Sequence, residues 1–519
     1  MKKLLLLLLV LVGGSYGAWH WFDREQVAPN GFAGASIAPA VWDASFVATP
    51  ISGFIEPHPG LAPIGGGTMH ADGFQSDTHP AAGPMGTNLQ VRSRTAGSGT
   101  PRQCATFVFR ADGKPVSLCG GFTGFRIVLL DPDSLDLLAS YDLPMRPSSF
   151  EAVVKRSIDV VFSDTSGGAY LFLDNKDRVV LGNSRNNIIR LKSVAEGGKW
   201  RFEEDGRWDM NKFFPHDCFN YNNLRPTGEC DKLTTVMPDH QGRYWWVTRN
   251  GRVGTLDPET GKVALVALGE EIQNAIAVDK NAIYVLTDHA QYAFVAGPDG
   301  KPVRQWREAY DRGKGRKVGS VNQGSGTTPT LIGERYITYT DNADPRMNLI
   351  VLRRGTLAAG QARQVCKVPL FKPGASTTDN SMIAIGRSII LENNAGFTTA
   401  FNHKDWTAMA GGVVRVDIRE DESGCDIVWE SPLVVPSVVG KLSLAGGIAY
   451  FYSFDWKSGQ EEPDWSLAGL DFATGKQVLK VPTGRGKAWD NNWSAIAIAP
   501  GGELYVGTSR GLVQVRKRG

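Results

Sequence analysis

The chain has 519 residues, of which 21% are charged, and a formal net charge of +3. A single hydrophobic core rarely serves more than about 250 to 300 residues, so this length requires several domains or a closed array of repeats. The near balance of acidic and basic residues argues against a nucleic-acid-binding protein, which would show a basic surface.

The N-terminus has the three parts of a secretory signal. Two lysines precede an apolar run that ends at Val12, and small residues follow as far as Gly17. A retained membrane anchor is the alternative, because no formal charge occurs between Leu4 and Phe22. In both cases we expect a periplasmic or secreted protein, and removal of residues 1–17 leaves 54 basic and 53 acidic residues.

The composition favours many short strands. The chain contains 60 Gly, 28 Pro and 14 Trp, and no long stretch after the N-terminus shows the apolar periodicity of a helix. From Cys104 onward, units of four short strands recur at intervals of about 40 to 55 residues, which is typical of a β-propeller. We therefore predict an all-β fold of about eight four-stranded blades, with three strands in the last unit.

The same pattern divides the chain into a signal or anchor (1–17), an extended segment rich in Pro, Gly and Ala (18–100), and the propeller (101–519). A strand from Asn88 to Arg94 would complete the last blade and close the ring. We expect a monomer.

Six cysteines in an exported chain indicate disulfides. Several connectivities are open, and the one that we favour pairs Cys104 with Cys119, Cys218 with Cys230, and Cys366 with Cys425. The first would join the open end of a hairpin, the second would close one loop, and the third would tie neighbouring repeats together.

Two families of propeller share features with this chain. The turns LDPETGK (Leu256–Lys262) and LDFATGK (Leu470–Lys476) resemble those of the quinoprotein-dehydrogenase-like propellers. The inner hairpins, with Asn at the start of inner strands, resemble the gluconolactonase and paraoxonase propellers. Both resemblances cover roughly Cys104 to Lys517 and imply a propeller fold. The second also implies calcium-dependent hydrolysis of an ester or lactone.

The starts of first strands and the ends of second strands lie on one face of a propeller, beside the central channel. In this chain those positions carry many side-chain oxygens, which are the ligands that Ca²⁺ prefers, at about six to eight per ion. The predicted calcium ligands are Asn274, Asp341, Asn342, Asn380, Glu392, Asn393 and Asn492. The alternative for each is a structural role at a turn.

Three further residues are candidates for catalysis. His289, beside Asp288, would act as a base, with the metal polarising the carbonyl group. Lys441 interrupts the ring of acceptors and would bind an anionic substrate or, if desolvated, act as a base.

A second candidate site lies in the extended segment, where two histidines and two aspartates occur close together: His70, Asp72, Asp77 and His79. These residue types suit zinc or another first-row metal. The alternative is a loop that folds over the channel mouth as a lid.

Two other functions remain open. The first is a propeller without enzymatic activity that binds a small molecule, a glycan or a partner at the channel mouth, where tryptophans would supply flat apolar surface: Trp245, Trp246, Trp456, Trp465, Trp489 and Trp493. Packing between blades is the alternative for each. The second is a quinone-dependent dehydrogenase. The chain lacks an adjacent Cys-Cys pair and a Cys-x-x-Cys-His motif, which are frequent in that family, and this argues against the second function.

Overall fold

The computed structural model describes residues 13–14, 27–28, 39–95, 103–121, 124–157, 159–162, 164–398, 405–457 and 459–518. Their strands form eight sheets of four to six strands each. The predicted eight-bladed propeller is confirmed. The predicted signal segment lies outside the described residues, apart from residues 13 and 14.

Each of the first four blades has four strands, given from the channel outward. Blade 1 comprises Gln103–Phe109, Pro115–Gly121, Gly124–Leu130 and Leu137–Leu143. Blade 2 comprises Phe172–Leu173, Arg178–Gly182, Asn187–Glu196 and Lys199–Asp209. Blade 3 comprises Leu233–Pro238, Tyr244–Thr248, Arg252–Leu256 and Val263–Ala267. Blade 4 comprises Ala277–Val278, Ile283–Leu286, Ala290–Ala296 and Pro302–Ala309.

The other four blades repeat this plan, and the last two recruit strands from the N-terminal segment. Blade 5 comprises Thr330–Ile332, Tyr336–Thr340, Asn348–Arg353 and Gln364–Pro369. Blade 6 comprises Ile383–Ile385, Ser388–Glu392, Val413–Ile418 and Cys425–Ser431. Blade 7 comprises Thr78–His79, Lys441–Ser443, Ile448–Asp455, Asp464–Asp471, Gln477–Arg485 and Val41–Trp42. Blade 8 comprises Ile496–Ile498, Leu504–Thr508, Gly511–Lys517, Leu89–Arg94 and Val27–Ala28.

Burial explains why the inner and outer strands differ in sequence. The inner strands are packed on both faces by neighbouring blades, so they are continuous buried runs, as in Tyr244–Thr248 of blade 3. The outermost strand of blade 2, Lys199–Asp209, is exposed along one face and alternates accordingly.

The ring is closed by a strand from the N-terminal segment. Leu89–Arg94 pairs in antiparallel register with Gly511–Lys517, and Val91 lies opposite Val515. The predicted closing strand is therefore confirmed, and the last three strands of the chain become part of a complete blade.

Residues 61–79, which we call the plug, lie inside the ring and are almost entirely buried. Carbonyl groups of the plug accept hydrogen bonds from inner-strand N–H groups of six blades. The donor and acceptor pairs are Phe109 with Gly66, Leu173 with Gly67, Val278 with Gly73, Leu331 with Phe74, Ala384 with Ser76, and Leu442 with Asp77. The plug thus follows the order of the blades around the axis and pairs backbone groups that their own sheets leave unpaired. The segment from His70 to His79, considered as a lid over the channel mouth, therefore lies inside the channel instead.

Two short helices, which the sequence analysis did not single out, connect blade 1 to blade 2. Helix α1 spans Pro147–Lys155 and begins with proline, whose missing N–H costs nothing in the first turn. Helix α2 spans Asp159–Phe162. Single turns of 3-10 helix occur at Asn211–Phe213, Trp406–Ala408 and Lys487–Trp489. No helix among the described residues is long and apolar enough to span a membrane.

All three predicted disulfides are present: Cys104–Cys119, Cys218–Cys230 and Cys366–Cys425. Cys104 and Cys119 are directly opposed across the first hairpin of blade 1. Cys366 and Cys425 join the outermost strands of blades 5 and 6. Disulfides of this number are typical of extracellular or periplasmic proteins.

Candidate functional site

A cavity of about 580 Å³ lies within the ring and is lined by residues of several blades and of the plug. Residues at or shortly before the starts of inner strands line it. They come from blades 1, 4, 5, 6, 8 and 7, respectively: Gln103, Asn274, Thr328, Asn380, Asn492 and Val439. Three of the residues predicted as calcium ligands, Asn274, Asn380 and Asn492, are among them. The apolar part of the wall consists of Met69, Ala105, Leu118, Phe125, Val161, Ala169, Val321, Val439 and Trp493.

His70 is the polar group that the plug contributes to the cavity wall. It is 3% exposed, and its Nδ1 lies 3.1 Å from Asp77 Oδ2 and 2.7 Å from Ser381 Oγ. Ser381 in turn donates to Asp77 Oδ2 over 2.5 Å. Because an ionised carboxylate can only accept hydrogen bonds, this arrangement assigns the proton to Nδ1 and leaves the lone pair on Nε2. Nε2 lies 3.3 Å from the hydroxyl oxygen of Thr328.

Lys441 and His70 stabilise the ionised form of Asp77. Burial alone would raise the pKa of Asp77, but the charge of Lys441 and the hydrogen bonds from His70 and Lys441 outweigh burial and hold this pKa below its usual value. The Nζ atom of Lys441 lies 2.6 Å from Asp77 Oδ1 and donates to the carbonyl of Met69 over 3.1 Å. Lys441, predicted as a base or an anion-binding group, is thus engaged by two residues of the plug.

Tyr170 and Asn274 form a second polar patch on the wall. The Tyr170 hydroxyl donates to Asn274 Oδ1 over 3.3 Å. The Tyr170 ring lies beside His70, with 6.4 Å between ring centroids. Burial raises the pKa of Tyr170, so its hydroxyl is neutral and available as a donor.

Two buried acidic side chains at the cavity, Asp379 and Glu392, have raised pKa values. Burial raises the pKa of Asp379, which lines the cavity, to about 7. Burial, reinforced by the charge of Asp77, raises that of Glu392 to about 8. Glu392 hydrogen-bonds to Asn380, while its Oε1 has no partner among the described residues. Burial thus favours the protonated form of both carboxyl groups.

The connection between blades 1 and 2 contributes Arg146 and Asp164, which sequence analysis missed. Arg146 donates from Nη1 to the Asp164 carbonyl over 3.0 Å and lies over the Phe125 ring at 4.2 Å. The Asp164 carboxylate pairs with Lys232 over 2.9 Å. No periodic signal marks this connection, because it stands outside the repeating blades.

The predicted calcium ligands separate into two groups. Asn274, Asn380 and Asn492 line the cavity, and Glu392 lies beside Asn380. The other three, Asp341, Asn342 and Asn393, are engaged in turns of blades 5 and 6.

The contacts of this second group are local. Asp341 Oδ1 accepts from the Ala343 and Asn348 N–H groups over 3.1 and 2.7 Å. Asn393 Oδ1 accepts from the Thr377 N–H over 3.2 Å. Their oxygens therefore satisfy backbone donors and do not join Asn274 and Asn380 in one ring of ligands.

Asn342 has the same kind of role, since its Nδ2 donates to the carbonyl groups of Arg312 and Gly315. His289 and Asp288 lie outside the cavity lining. His289 is 39% exposed, and its Nδ1 lies 2.8 Å from Asp288 Oδ1, while Asp288 also pairs with Arg312. The predicted base is thus not part of the cavity wall.

The four plug residues considered as a first-row metal site have separate partners. Asp72 Oδ2 accepts from Ser76 Oγ over 2.5 Å, and His79 Nδ1 accepts from the Ala81 N–H over 3.0 Å. His70 and Asp77 bond to each other. Within the described ranges, no three His, Cys, Asp or Glu side chains are placed to hold a metal ion together.

Among the tryptophans, Trp245, Trp246 and Trp465 are packed in the interior and less than 2% exposed. Trp493 lines the cavity. It is one of two consecutive residues there with positive φ, 39° at Asn492 and 68° at Trp493. Asn adopts this conformation readily, but it is unfavourable for Trp, and such strained residues concentrate at binding sites.

Comparison with known proteins assigns no activity. No family model matches the chain. An uncharacterized protein from Archaeoglobus fulgidus is 24% identical in an alignment of 443 positions that covers 78% of each chain.

Solved structures that are similar include a streptogramin B lyase (10% identity, TM-score 0.41, 83% of this chain and 98% of that one). The WD40 domain of SCAP from fission yeast has the same identity and coverage, with a TM-score of 0.42. The Dos1 propeller is 9% identical, with a TM-score of 0.35, over 63% of this chain and 88% of that one. At these TM-scores the likenesses carry no argument, and the fold is assigned from the eight sheets of the chain itself. The chain is a β-propeller protein.

Proposed function

We propose that the protein binds a small organic molecule in its central cavity. The observation that carries the proposal is a cavity of about 580 Å³ to which the plug and blades on opposite sides of the ring contribute. Its volume lies within the range of about 300 to 1,000 Å³ that small-molecule sites occupy. The ligand would be mostly apolar with a few hydrogen-bonding groups, because an apolar wall is interrupted by His70, Tyr170 and Asn274.

Filling the cavity tests this function. Ala105 lies in the innermost strand of blade 1 and lines the cavity. The Ala105→Trp variant should lose most of the binding of 8-anilinonaphthalene-1-sulfonate, an apolar fluorescent probe, with at least a tenfold rise in Kd. The matched control is Ile427→Trp, since Ile427 is 41% exposed on the outermost strand of blade 6. Absence of probe binding to the wild-type protein, or equal binding to both variants, would reject the proposal.

Calcium-dependent hydrolysis of an ester or lactone is the more specific function that the sequence predicted. The donors present fit calcium poorly. The cavity wall contributes mainly amides, and its ionised carboxylate, Asp164, is already paired with Lys232, as Asp77 in the plug is with Lys441. Calcium sites usually collect about six to eight oxygens, several of them from carboxylates. Calcium thus remains a prediction, tested by metal analysis of protein purified without chelator and by calcium titration followed by calorimetry.

A further inference from the structure

We infer that the cavity hydrolyses small apolar carboxylic esters or lactones without a metal, with Thr328 as nucleophile, His70 as base and Asp77 as the residue that positions His70. This inference rests on the proposed ligand-binding function, since the ester must first enter the cavity. It moves the chemistry from the predicted base His289 to a histidine on the cavity wall.

The three residues form one hydrogen-bonded chain. Thr328 Oγ1 lies 3.3 Å from His70 Nε2, and His70 Nδ1 lies 3.1 Å from Asp77 Oδ2. A hydroxyl, a base and a group that orients the base are the parts of an activated nucleophile, whose first contact is often long in a ligand-free site. Both Thr328 and His70 line the cavity, so a ligand there can reach them.

The surroundings hold this chain in place. Asp77 is 0% exposed and also bonds to Lys441 and Ser381, so its carboxylate is fixed from three sides. Ser381, although close to His70, bonds to Nδ1 and to Asp77. Its hydroxyl is therefore on the wrong side of the imidazole ring to be activated by Nε2, which leaves Thr328 as the hydroxyl that His70 can deprotonate.

The reaction balances with the groups present and one water molecule. Thr328 Oγ1 bonds to the carbonyl carbon as its proton passes to His70 Nε2, and His70 then gives this proton to the departing alcohol oxygen as the ester C–O bond breaks. Water then attacks the acyl carbon as one of its protons passes to His70 Nε2. His70 gives this proton to Thr328 Oγ1 as the acyl-threonine C–O bond breaks, which restores the free threonine. The Tyr170 hydroxyl, on the same wall, would turn from Asn274 Oδ1 and donate to the carbonyl oxygen as that oxygen becomes negative.

The test uses 4-nitrophenyl butyrate and the full chain. Wild-type protein should release nitrophenolate in excess of the rate in buffer, with EDTA having no effect, and acid quenching should trap a butyryl group on Thr328, located by peptide mass spectrometry. The Thr328→Val and His70→Asn variants should each lose at least 100-fold in kcat/KM. Thr328→Ser, which keeps a hydroxyl, should retain turnover and carry the adduct on Ser.

The matched control is His289→Asn, because His289 also bonds to an aspartate through Nδ1 but lies outside the cavity lining. It should keep wild-type kcat/KM. Asparagine at position 70 can still donate toward Asp77, and bound anilinonaphthalene sulfonate would show that the cavity survives in that variant.

Three results would overturn the inference: no turnover by wild-type protein that still binds the fluorescent probe, unchanged kcat/KM in Thr328→Val, or inhibition by EDTA that calcium reverses. The first leaves the ligand-binding function standing, and failure of probe binding in the wild-type protein removes both.

Discussion

Lys441 in the inner strand of blade 7 and Asp77 in the plug form a buried ion pair of 2.6 Å, although 364 positions separate them in the chain. Removing two charges from water costs several kcal/mol per ion, and a pair of this kind is tolerated when further hydrogen bonds complete it. Here Ser381, His70 and the Met69 carbonyl do so. The pair therefore fastens the plug to the ring at the point where the plug supplies His70 to the cavity.

Loss of Lys441 should be strongly destabilising. Lys441→Met leaves the Asp77 carboxylate buried without its cation, and we expect the free energy of unfolding to fall by about 3 to 5 kcal/mol, measured by chemical denaturation. Lys480→Met is the control in the same blade, because the pair of Lys480 with Asp455 is half exposed and should contribute less than about 1 kcal/mol. Adding Asp77→Asn to Lys441→Met should restore part of the loss; equal effects of the two lysine variants would contradict this account.

Gly65 should not tolerate a side chain. Its φ of 96° is unfavourable for other residues, and an added Cβ would lie 2.1 Å from Cδ2 of His79. Gly113 has a similar φ of 79°, but a Cβ there meets open space among the described residues. Gly113→Ala should cost about 1 to 2 kcal/mol from backbone strain alone, and Gly65→Ala about 1 to 3 kcal/mol more. Matching unfolding free energies for the two variants would refute the predicted contact.

The disulfide between blades 5 and 6 should matter more than the one within the loop before blade 3. Cys366 and Cys425 are separated by 59 positions, and Cys218 and Cys230 by 12. A disulfide lowers the entropy of the unfolded chain, and more so when it closes a longer loop. Replacing each pair by alanine should therefore lower the free energy of unfolding by about 4 and about 3 kcal/mol, respectively. Guanidinium denaturation of the two double variants measures both, and a larger loss for the shorter loop would count against this model.

Glu392 should make stability fall as the pH rises. Burial raises its pKa from 4.5 to about 8, so the folded state binds this proton more tightly than the unfolded state. The contribution is complete below about pH 4.5 and is lost as the pH rises through about 8. Glu392→Gln should remove this dependence. The unfolding free energy of the variant minus that of the wild type should therefore rise between pH 5 and pH 8, by at most about 1.4 kcal/mol per pH unit.

The exposed Glu334→Gln variant is the control for that measurement. Its difference from wild type should stay constant over the same pH range. A constant difference for Glu392→Gln as well would show that the carboxyl group is already ionised in the folded protein.

The blades and the Cys104–Cys119 pair were predictable because they depend on local pattern, and the closing strand was predictable because the last unit has only three strands of its own. Alternating strands and tight turns mark the hairpins, and Cys104 and Cys119 stand at matching ends of one of them. The plug was not predictable in the same way, because its backbone hydrogen bonds go to strands as distant as Leu442. A segment rich in glycine and proline gives no periodic signal of such partners.

The candidate site, too, was predictable from the sequence only in part. The rule for strand starts placed Asn274, Asn380 and Asn492 at the cavity. It could not distinguish them from Asn393, whose amide satisfies a turn beside the same channel. His70 was noticed in the sequence for its neighbours, but the choice between metal binding and hydrogen bonding depends on Ser381 and Thr328, which are about 300 and 260 positions away.

The position of the plug has a consequence for biosynthesis. Residues 61–79 leave the ribosome before any blade has been made, and the inner strands that bind them follow in the order in which the plug meets them. Each newly made blade can thus dock on plug residues that are already present. The plug therefore serves as a template for assembly of the ring. The circle is sealed when residues 511–517 arrive beside Leu89–Arg94.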